Sequence, residues 1–511
     1  MVFDYIVLAL YAVSMVGIAV YTKNRSGSVD DFLLAGKKGL NGWLTAFAYG
    51  TTYFSAVIFI GYAGQFGRAY GLASVWIGIG NAVIGTLFAW LVLAKRTKNM
   101  TTRLSAKTMP DFFEKRYGSH GLKITSAIVI FVFLIPYSAS VYNGLSSLFE
   151  IVFGIEGWIV MLCLAALTAL YLFFGGYFAT ALSDFIQGII MIIGVVLMII
   201  FYMNSSEVSW DISAIADTWF TFGSENKGIF GDTVSLMSLI FLTSFGVWAL
   251  PQTIHKYYAI RDKKAITQGV VVSTAFALVI GFIAYFSGAL SFFFEDSLLG
   301  GVPDSQVIPT MLKVVIPVGL TGVIAVLILS ASMSTLSSVS LASASVIAVD
   351  LYKGSIRKDA SDKRVNTVMR VLTLVFVAIS VVLAILNEKF GIAAIAYMMG
   401  ISWGTLAGCF MGPYVLGLLW KRVTKAAAYA SIISSLSLTV ILILLLGYAK
   451  GGFACGLGVA IKNGISASPL IGVICMAASV VITVIVSLLT KAPDEAVIEN
   501  AFNKPIENEI I

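Results

Sequence analysis

Charged residues are scarce in this chain, since Asp, Glu, Lys and Arg make up only 12% of its 511 residues. Soluble domains typically carry about 25%. Hydrophobic residues make up 59%, and this imbalance excludes a soluble globular protein. It predicts an all-α polytopic membrane protein. The four cysteines are scattered and form no CxxC pair, so we expect neither a metal cluster nor a disulfide framework.

The sequence also lacks the patterns of known catalytic sites. It has no nucleophile–base set and no phosphate loop, and its glycine-rich stretches lie inside apolar segments instead of between a strand and a helix. The net charge of +7 comes from loops between apolar segments, so it does not indicate a nucleic-acid partner. We therefore expect no enzymatic activity, no catalytic residues and no organic cofactor.

Apolar segments of about 20 residues, the length needed to cross a bilayer, recur along the whole chain. They predict thirteen spans, at about 3–21, 41–67, 71–94, 122–152, 157–175, 180–203, 233–255, 268–298, 315–349, 366–387, 391–420, 426–448 and 470–490. The first segment has no basic leader and no cleavage site, so it is interpreted as a retained span.

The distribution of basic residues predicts the orientation of the chain. One set of alternate segments holds 25 Lys and Arg residues and the other holds 6. The basic segments are 22–40, 95–121, 255–267, 350–365, 421–425 and 491–511. Because basic loops stay on the cytoplasmic side, the N-terminus is predicted outside and the C-terminus in the cytoplasm of a multi-pass protein of the cell membrane.

Two spans are interrupted by helix-breaking residues. Span 2 carries Gly50 before the polar run 51–55, and span 7 contains Gly246 and Pro251. Because these spans are five apart and run in opposite directions, spans 2–6 and 7–11 are interpreted as inverted five-helix repeats, with the solute site at the paired breaks. The predicted single transporter domain comprises 1–40, repeat one at 41–203, an outer loop at 204–232, repeat two at 233–420, two spans at 421–490 and a tail at 491–511.

A cluster of hydroxyl residues at 330–345 lies inside predicted span 9. Ala331, Ser334, Thr335 and Ser338 are spaced to share one face of a helix. Lipid offers hydroxyl groups no partner, so this face is a candidate ligand set for a small hard cation. The alternative is that the hydroxyls bond to carbonyls of their own helix or pack helices closely.

Asp184 is a carboxylate near the cytoplasmic end of span 6. Ionisable groups inside a membrane are costly, so a functional role is the default hypothesis. The alternative is that Asp184 caps the start of the helix. With nearby hydroxyls it could bind Na⁺ or carry a proton, and the hydroxyl-rich span favours Na⁺.

Several motifs resemble those of the sodium:solute symporter family, which includes bacterial sodium/proline, sodium/pantothenate and sialic-acid symporters. The resemblance covers all thirteen spans. Its most specific motifs are Ala-Ser-Met-Ser-Thr-Leu-Ser-Ser at 331–338, Asp-Leu-Tyr at 350–352, Gly-Gly-Tyr-Phe at 175–178 and Ser-Asp-Phe-Ile-Gln-Gly at 183–188. Further similar segments are 31–37 and 109–113.

The resemblance implies a leucine-transporter-like fold, Na⁺-driven uptake and a sodium site between spans 2 and 9. Its implied ligands are carbonyls of Thr51, Phe54 and Ala331 and hydroxyls of Ser334 and Thr335. Some members have a second sodium site, which implies ligands at Asp184, Ser334, Ser337 and Ser338. One or two Na⁺ ions per solute are therefore expected.

The solute pocket departs from that of a proline-specific member, which carries Asp at Tyr53 and aromatic residues at Thr243 and Val247. The segment 246–253 looks closer to the pantothenate branch. Lys256 stands where that branch carries an Arg, and its position near the cytoplasm leaves open the alternative that it only anchors the span. Ser55, Tyr137 and Trp248 are the candidate solute-binding residues.

The chain is therefore interpreted as a Na⁺-coupled symporter that imports a small polar organic solute by alternating access, such as proline, pantothenate or a related carboxylate. A sodium/sugar or sialic-acid symporter, a proton-coupled or uncoupled permease, and a transporter-like solute sensor stay open. The expected partners are the solute and the lipid bilayer, and the protein is expected to be a monomer or weak oligomer.

Overall fold

The computed structural model describes residues 2–22, 28–34, 36, 39–218, 232–317 and 319–505. Part of the predicted outer loop and the end of the predicted tail lie outside these ranges. The described chain forms helices joined by short links, with one isolated bridge between Leu40 and Ile260. Its helices are α1 Val2–Thr22, α2 Val29–Leu34, α3 Gly42–Tyr53, α4 Val57–Leu104, α5 Met109–Tyr117, α6 His120–Phe153, α7 Gly157–Met203, α8 Ile212–Asp217, α9 Asp232–Gly246, α10 Pro251–Tyr258, α11 Lys263–Leu299, α12 Val307–Val315, α13 Thr321–Ile356, α14 Asp362–Phe390, α15 Ile395–Leu419, α16 Lys425–Gly451, α17 Leu457–Ile465, α18 Ser468–Leu489 and α19 Glu495–Ile498.

Eleven stretches of the described residues are helical, long and apolar enough to cross a membrane. Two of them, α4 and α7, are each interrupted by a glycine with positive φ, Gly71 at 54° and Gly176 at 61°. Dividing α7 at Gly176 separates predicted spans 5 and 6, and dividing α4 at Gly71 separates predicted spans 2 and 3. The polytopic helical fold is confirmed, while the count of thirteen spans stays a prediction.

The predicted break in span 2 is confirmed. Asn41 caps α3, since its side chain accepts a hydrogen bond from the Leu44 amide at 2.9 Å. The helix ends at Tyr53, and Phe54 has extended angles of −102° and 114°. Helical structure begins again at Val57 as the first turns of α4.

The predicted break in span 7 is confirmed as well. Residues 247–250 between α9 and α10 are not helical. Pro251 lies in the first turn of α10, where its missing N–H group would have had no helical partner. The two interrupted spans are therefore each a pair of short helices joined by a non-helical link.

The serine-rich helix α13 lies at the centre of the molecule. The most apolar window of α13 is 94% buried, whereas the corresponding windows of α1 and α16 are each 28% buried. Helix α13 packs against α1, α3, α6, α7, α10 and α14. Its hydroxyl groups therefore face protein on all sides, and lipid contacts peripheral helices such as α1 and α16.

Helices α4 and α11 approach each other so closely that their backbones touch. A Cβ atom added at Gly288 would lie 2.0 Å from the Ala63 carbonyl oxygen. Small residues allow this kind of contact between membrane helices. A larger residue at Gly288 would have to separate the two helices.

We expect Gly288→Ala to destabilise the protein by about 1–3 kcal/mol, the usual cost of overpacking. The melting temperature of purified protein in detergent measures this. Gly17→Ala is the matched control, because Gly17 is also helical and has nothing within 4 Å of an added Cβ. Equal melting temperatures for the two variants would contradict the close contact.

Candidate functional site

The C-terminal end of α3 is held by hydroxyl groups of α13. The last carbonyls of any helix have no partner within that helix. Here the Ser334 hydroxyl donates to the Thr51 carbonyl at 2.7 Å, and the Thr335 hydroxyl donates to the Thr52 carbonyl at 3.2 Å. The break in span 2 therefore leaves carbonyl oxygens that α13 satisfies.

The same two hydroxyls also meet a carbonyl of their own helix. Ser334 and Thr335 lie 3.3 and 3.2 Å from the Ala331 carbonyl oxygen. Phe54 is the first residue beyond α3, so its carbonyl belongs to the same break. Four of the five residues predicted for the first sodium site are thus in hydrogen-bond contact, and all five are fully buried.

The other side of the break is also bonded to α13. The Ser332 hydroxyl accepts a hydrogen bond from the Ala56 amide at 3.1 Å and donates to the Ile328 carbonyl at 2.7 Å. Donors and acceptors released by the break are therefore both paired with the serine-rich helix. Bonding within the helix, the alternative drawn from the sequence, accounts for Ser345. It accounts for only part of the contacts of Ser334 and Thr335, which also reach carbonyls of α3.

The residues predicted for a second sodium site lie next to a lysine. Lys256 donates to the Ser338 hydroxyl at 2.8 Å, and its ammonium nitrogen lies 3.6 Å from Asp184 Oδ2. Ser338 also contacts the Thr52 hydroxyl at 2.9 Å. Ser337 donates to the Ser334 carbonyl at 2.8 Å. This polar cluster joins α7, α10 and α13 to the end of α3.

Two alternatives that the sequence left open for this cluster are wrong. Lys256 is 1% exposed and does not anchor the span at the surface; its position in α10 directs it inward onto Ser338. Asp184 does not cap a helix, because the second half of α7 starts after the kink at Gly176, about two turns earlier. Asp184 is a mid-helix carboxylate that is fully buried.

Two of the three candidate solute-binding residues lie together. Ser55 follows the end of α3, and the Tyr137 hydroxyl of α6 lies within interacting distance of the Ser55 and Thr335 hydroxyls. The Tyr137 hydroxyl makes no hydrogen bond of regular geometry with the described residues, although it is buried. It is therefore a polar group available to a ligand beside the break.

Sequence reasoning missed Trp403 of α15. Its ring lies 5.5 Å from that of Tyr137 and 5.8 Å from that of Tyr53, and its buried indole N–H has no hydrogen-bond partner among the described residues. Its position between Gly400 and Gly404 could have indicated a buried tryptophan, because small residues let neighbouring helices approach closely.

Trp248 occupies the break in span 7 but has other contacts. Its indole N–H donates to the Ile84 carbonyl at 3.0 Å, and its ring packs on Phe245. Tyr53 donates to the Thr243 carbonyl at 2.5 Å and so ties α3 to α9. The role of Trp248 in solute binding stays a prediction.

A membrane-spanning helical protein with two interrupted spans around buried oxygen atoms has the construction of a secondary transporter. The model of the sodium:solute symporter family matches residues 32–435, which is most of the chain. The protein therefore belongs to the sodium:solute symporter family, and it is a Na⁺-coupled symporter of a small solute.

Similar proteins agree with this assignment. The osmoregulated proline transporter OpuE of Bacillus subtilis is 29% identical, with 87% of this chain and 89% of that protein covered. A sodium/proline symporter of Haemophilus influenzae is 30% identical, with 84% and 86% covered. The solved structure of a Na⁺-coupled sialic acid symporter has a TM-score of 0.75 at 18% identity, covering 96% of this chain and 99% of that one. The fold is the leucine-transporter-like fold with inverted five-helix repeats.

We expect either Asp184→Asn or Lys256→Met alone to cost about 3–5 kcal/mol, because each leaves one buried charge without its partner. The double variant should cost less than the sum of the two, since no uncompensated charge remains. Melting temperatures of the four proteins form a double-mutant cycle that measures the coupling. Additive effects would contradict an ion pair between these residues.

Proposed function

We propose that this protein imports a small polar organic solute into the cell by binding Na⁺ at the break in span 2. The observation that carries this proposal is the contact of Ser334 and Thr335 with the terminal carbonyls of α3. In a member of a sodium-coupled family, buried hydroxyl and carbonyl oxygens from two helices are a suitable ligand set for a hard cation. The proposed ligands are the carbonyls of Thr51, Phe54 and Ala331 and the hydroxyls of Ser334 and Thr335.

These residues suit a sodium ion because each offers an oxygen lone pair, and a cation could take the place of the two hydroxyls as the partner of the α3 carbonyls. The Ser334 and Thr335 hydroxyls can rotate to present lone pairs to a cation, and the Thr51 and Ala331 carbonyls already lie next to them. No carboxylate belongs to this ligand set. The dipoles of the carbonyl and hydroxyl groups would hold the ion, and the loaded site would keep the ion's positive charge. A bound Na⁺ would thereby link α3 of repeat one to α13 of repeat two.

The solute is proposed to bind beside the same break. Ser55, Tyr137 and Trp403 offer a hydroxyl, a phenol and an indole N–H around aromatic faces. Such a set suits a small solute with one polar end and a compact apolar body. Relatives named as proline transporters support an amino acid or related carboxylate, whereas Tyr53 bonding to Thr243 argues for a pocket that differs from theirs.

Ion pairs at opposite ends of the molecule are proposed to close the two sides of the pathway in turn. At one end, Arg68 of α4 pairs with Glu295 of α11. At the other end, Lys123 of α6 lies 2.8 Å from Glu114 and 3.6 Å from Asp350. Each pair bridges separate helices, so opening either side would require breaking it.

The distribution of basic residues supports an orientation with the N-terminus outside, the Lys123 cluster facing the cytoplasm and the Arg68 pair facing outward. The breaks in spans 2 and 7 support repeats at 41–203 and 233–420 within a single transporter domain. In this orientation the inward Na⁺ gradient drives uptake, and binding of ion and solute is reciprocally linked.

We expect Ser334→Ala and Thr335→Ala each to raise the Na⁺ concentration for half-maximal thermal stabilisation by tenfold or more. Each change removes a proposed ligand and leaves the fold of α13 intact. Melting of purified protein in Na⁺ against choline measures the effect. Ser345→Ala is the matched control on the same helix, because among the described residues its hydroxyl bonds only to the Ala342 carbonyl. Na⁺ dependence equal to that of the unaltered protein in both variants would overturn the site.

A thermal-shift screen of amino acids, pantothenate, monocarboxylates and sugars, with Na⁺ or choline, should identify the solute. For that solute we expect Tyr137→Phe and Trp403→Phe to weaken binding about tenfold, the value of one hydrogen bond of roughly 1–1.5 kcal/mol. Tyr202→Phe is the control, because Tyr202 is a buried tyrosine of α7 that packs on Phe294, away from the break. Unchanged affinity in both test variants would remove them from the pocket.

A further inference from the structure

Lys256 occupies the position at which the family's second sodium ion would be expected. Its ammonium contacts Ser338 at 2.8 Å and lies 3.6 Å from Asp184 Oδ2, two of the four residues implied as ligands of that ion. It also lies 5.1 Å from the centre of the Tyr177 ring, whose face attracts a cation. The Asp184 carboxylate, the Ser338 hydroxyl and the face of the Tyr177 ring thus surround the Lys256 ammonium, a cation that the chain itself supplies.

The two remaining members of that ligand set, Ser334 and Ser337, are bonded toward the first site. Ser337 donates to the Ser334 carbonyl, and Ser334 donates to the Thr51 carbonyl in the first site. Neither oxygen of Asp184 accepts a regular hydrogen bond from the described residues. The ammonium of Lys256 is therefore the counter-charge of this buried carboxylate.

Charge balance argues against adding a sodium ion to this cluster. Asp184 supplies one negative charge, and Lys256 supplies one positive charge at almost no exposure to solvent. A Na⁺ ion in contact with Asp184 and Ser338 would share both with the ammonium and repel it at close range. Asp184, Lys256 and the added Na⁺ would together carry a net positive charge in a buried site that water cannot screen. The residues present do not fit a second Na⁺.

We infer that Lys256 is a tethered cation that takes the place of the second Na⁺, so that this symporter binds one Na⁺ per chain. This inference depends on the proposed sodium site for the first ion. Unlike a sodium ion, the ammonium stays with α10 throughout the cycle and carries no charge across the membrane. The solute gradient that the protein can build therefore depends on the first power of the Na⁺ gradient.

The position of Lys256 also connects it to the first site. Ser338 contacts both Lys256 and the Thr52 hydroxyl, and the Thr52 carbonyl accepts from Thr335. The ammonium thus holds the end of α3 against α13 through Ser338. The Lys256 ammonium therefore helps to position Ser338 against the end of α3, a role that a second Na⁺ would otherwise have.

Equilibrium binding of radiolabelled Na⁺ to the purified full-length protein tests the inference. We expect one Na⁺ per unaltered chain, and two per chain for Lys256→Ala, which removes the ammonium and leaves space beside Asp184. Lys256→Arg, which keeps the charge, should bind one. The Asp184→Asn/Lys256→Ala double variant should return to one, because the carboxylate is lost. Where Lys256→Ala does not fold, Lys256→Gln takes its place.

Two Na⁺ ions per unaltered chain would overturn the inference, as would an unchanged ion count after removal of the ammonium. Failure of the proposed first site gives a different result, because the unaltered protein would then bind no Na⁺. In that case a gain of one ion in Lys256→Ala, lost again in the double variant, would still support the exclusion of Na⁺ by Lys256.

Discussion

The structure depends on the pairing of the broken end of α3 with the hydroxyl face of α13. A helix that stops inside a membrane exposes carbonyls and amides that lipid cannot satisfy. Ser334 and Thr335 supply donors to the carbonyls before the break, and Ser332 supplies an acceptor to the amide after it. The interruption is stable because the most buried long helix in the molecule carries the hydroxyls it needs.

In the proposed mechanism, this pairing places ion binding and conformational change at one site. The oxygens at the break come from α3 in the first repeat and from α13 in the second, so a cation between them favours the arrangement in which the repeats touch there. Ser55 and Tyr137, the proposed solute-binding residues, adjoin the same break. Lys256 strengthens the contact from the other side through Ser338, with a charge that the chain carries permanently.

Much of the fold and of the candidate sodium site was predictable from the sequence, because a membrane span must be long, apolar and internally hydrogen-bonded. Hydropathy located the long apolar helices, and glycine and proline located both breaks. The spacing of Ser334 and Thr335 placed them on one face. Lys256 was misinterpreted and Trp403 was missed for a physical reason: a lysine near a span end is ordinarily an anchor, and a tryptophan in a span is ordinarily a core residue. Only three-dimensional packing directs the ammonium onto Asp184 and leaves the indole N–H unpaired.

The most direct test of the account is a high-resolution density map of the protein in Na⁺, compared with one in choline. The account predicts density in Na⁺ alone, at about 2.4 Å from the Ser334 and Thr335 oxygens and from the carbonyls at the end of α3. A continuous helix through residues 42–70, or both hydroxyls directed away from α3 in Na⁺, would contradict it.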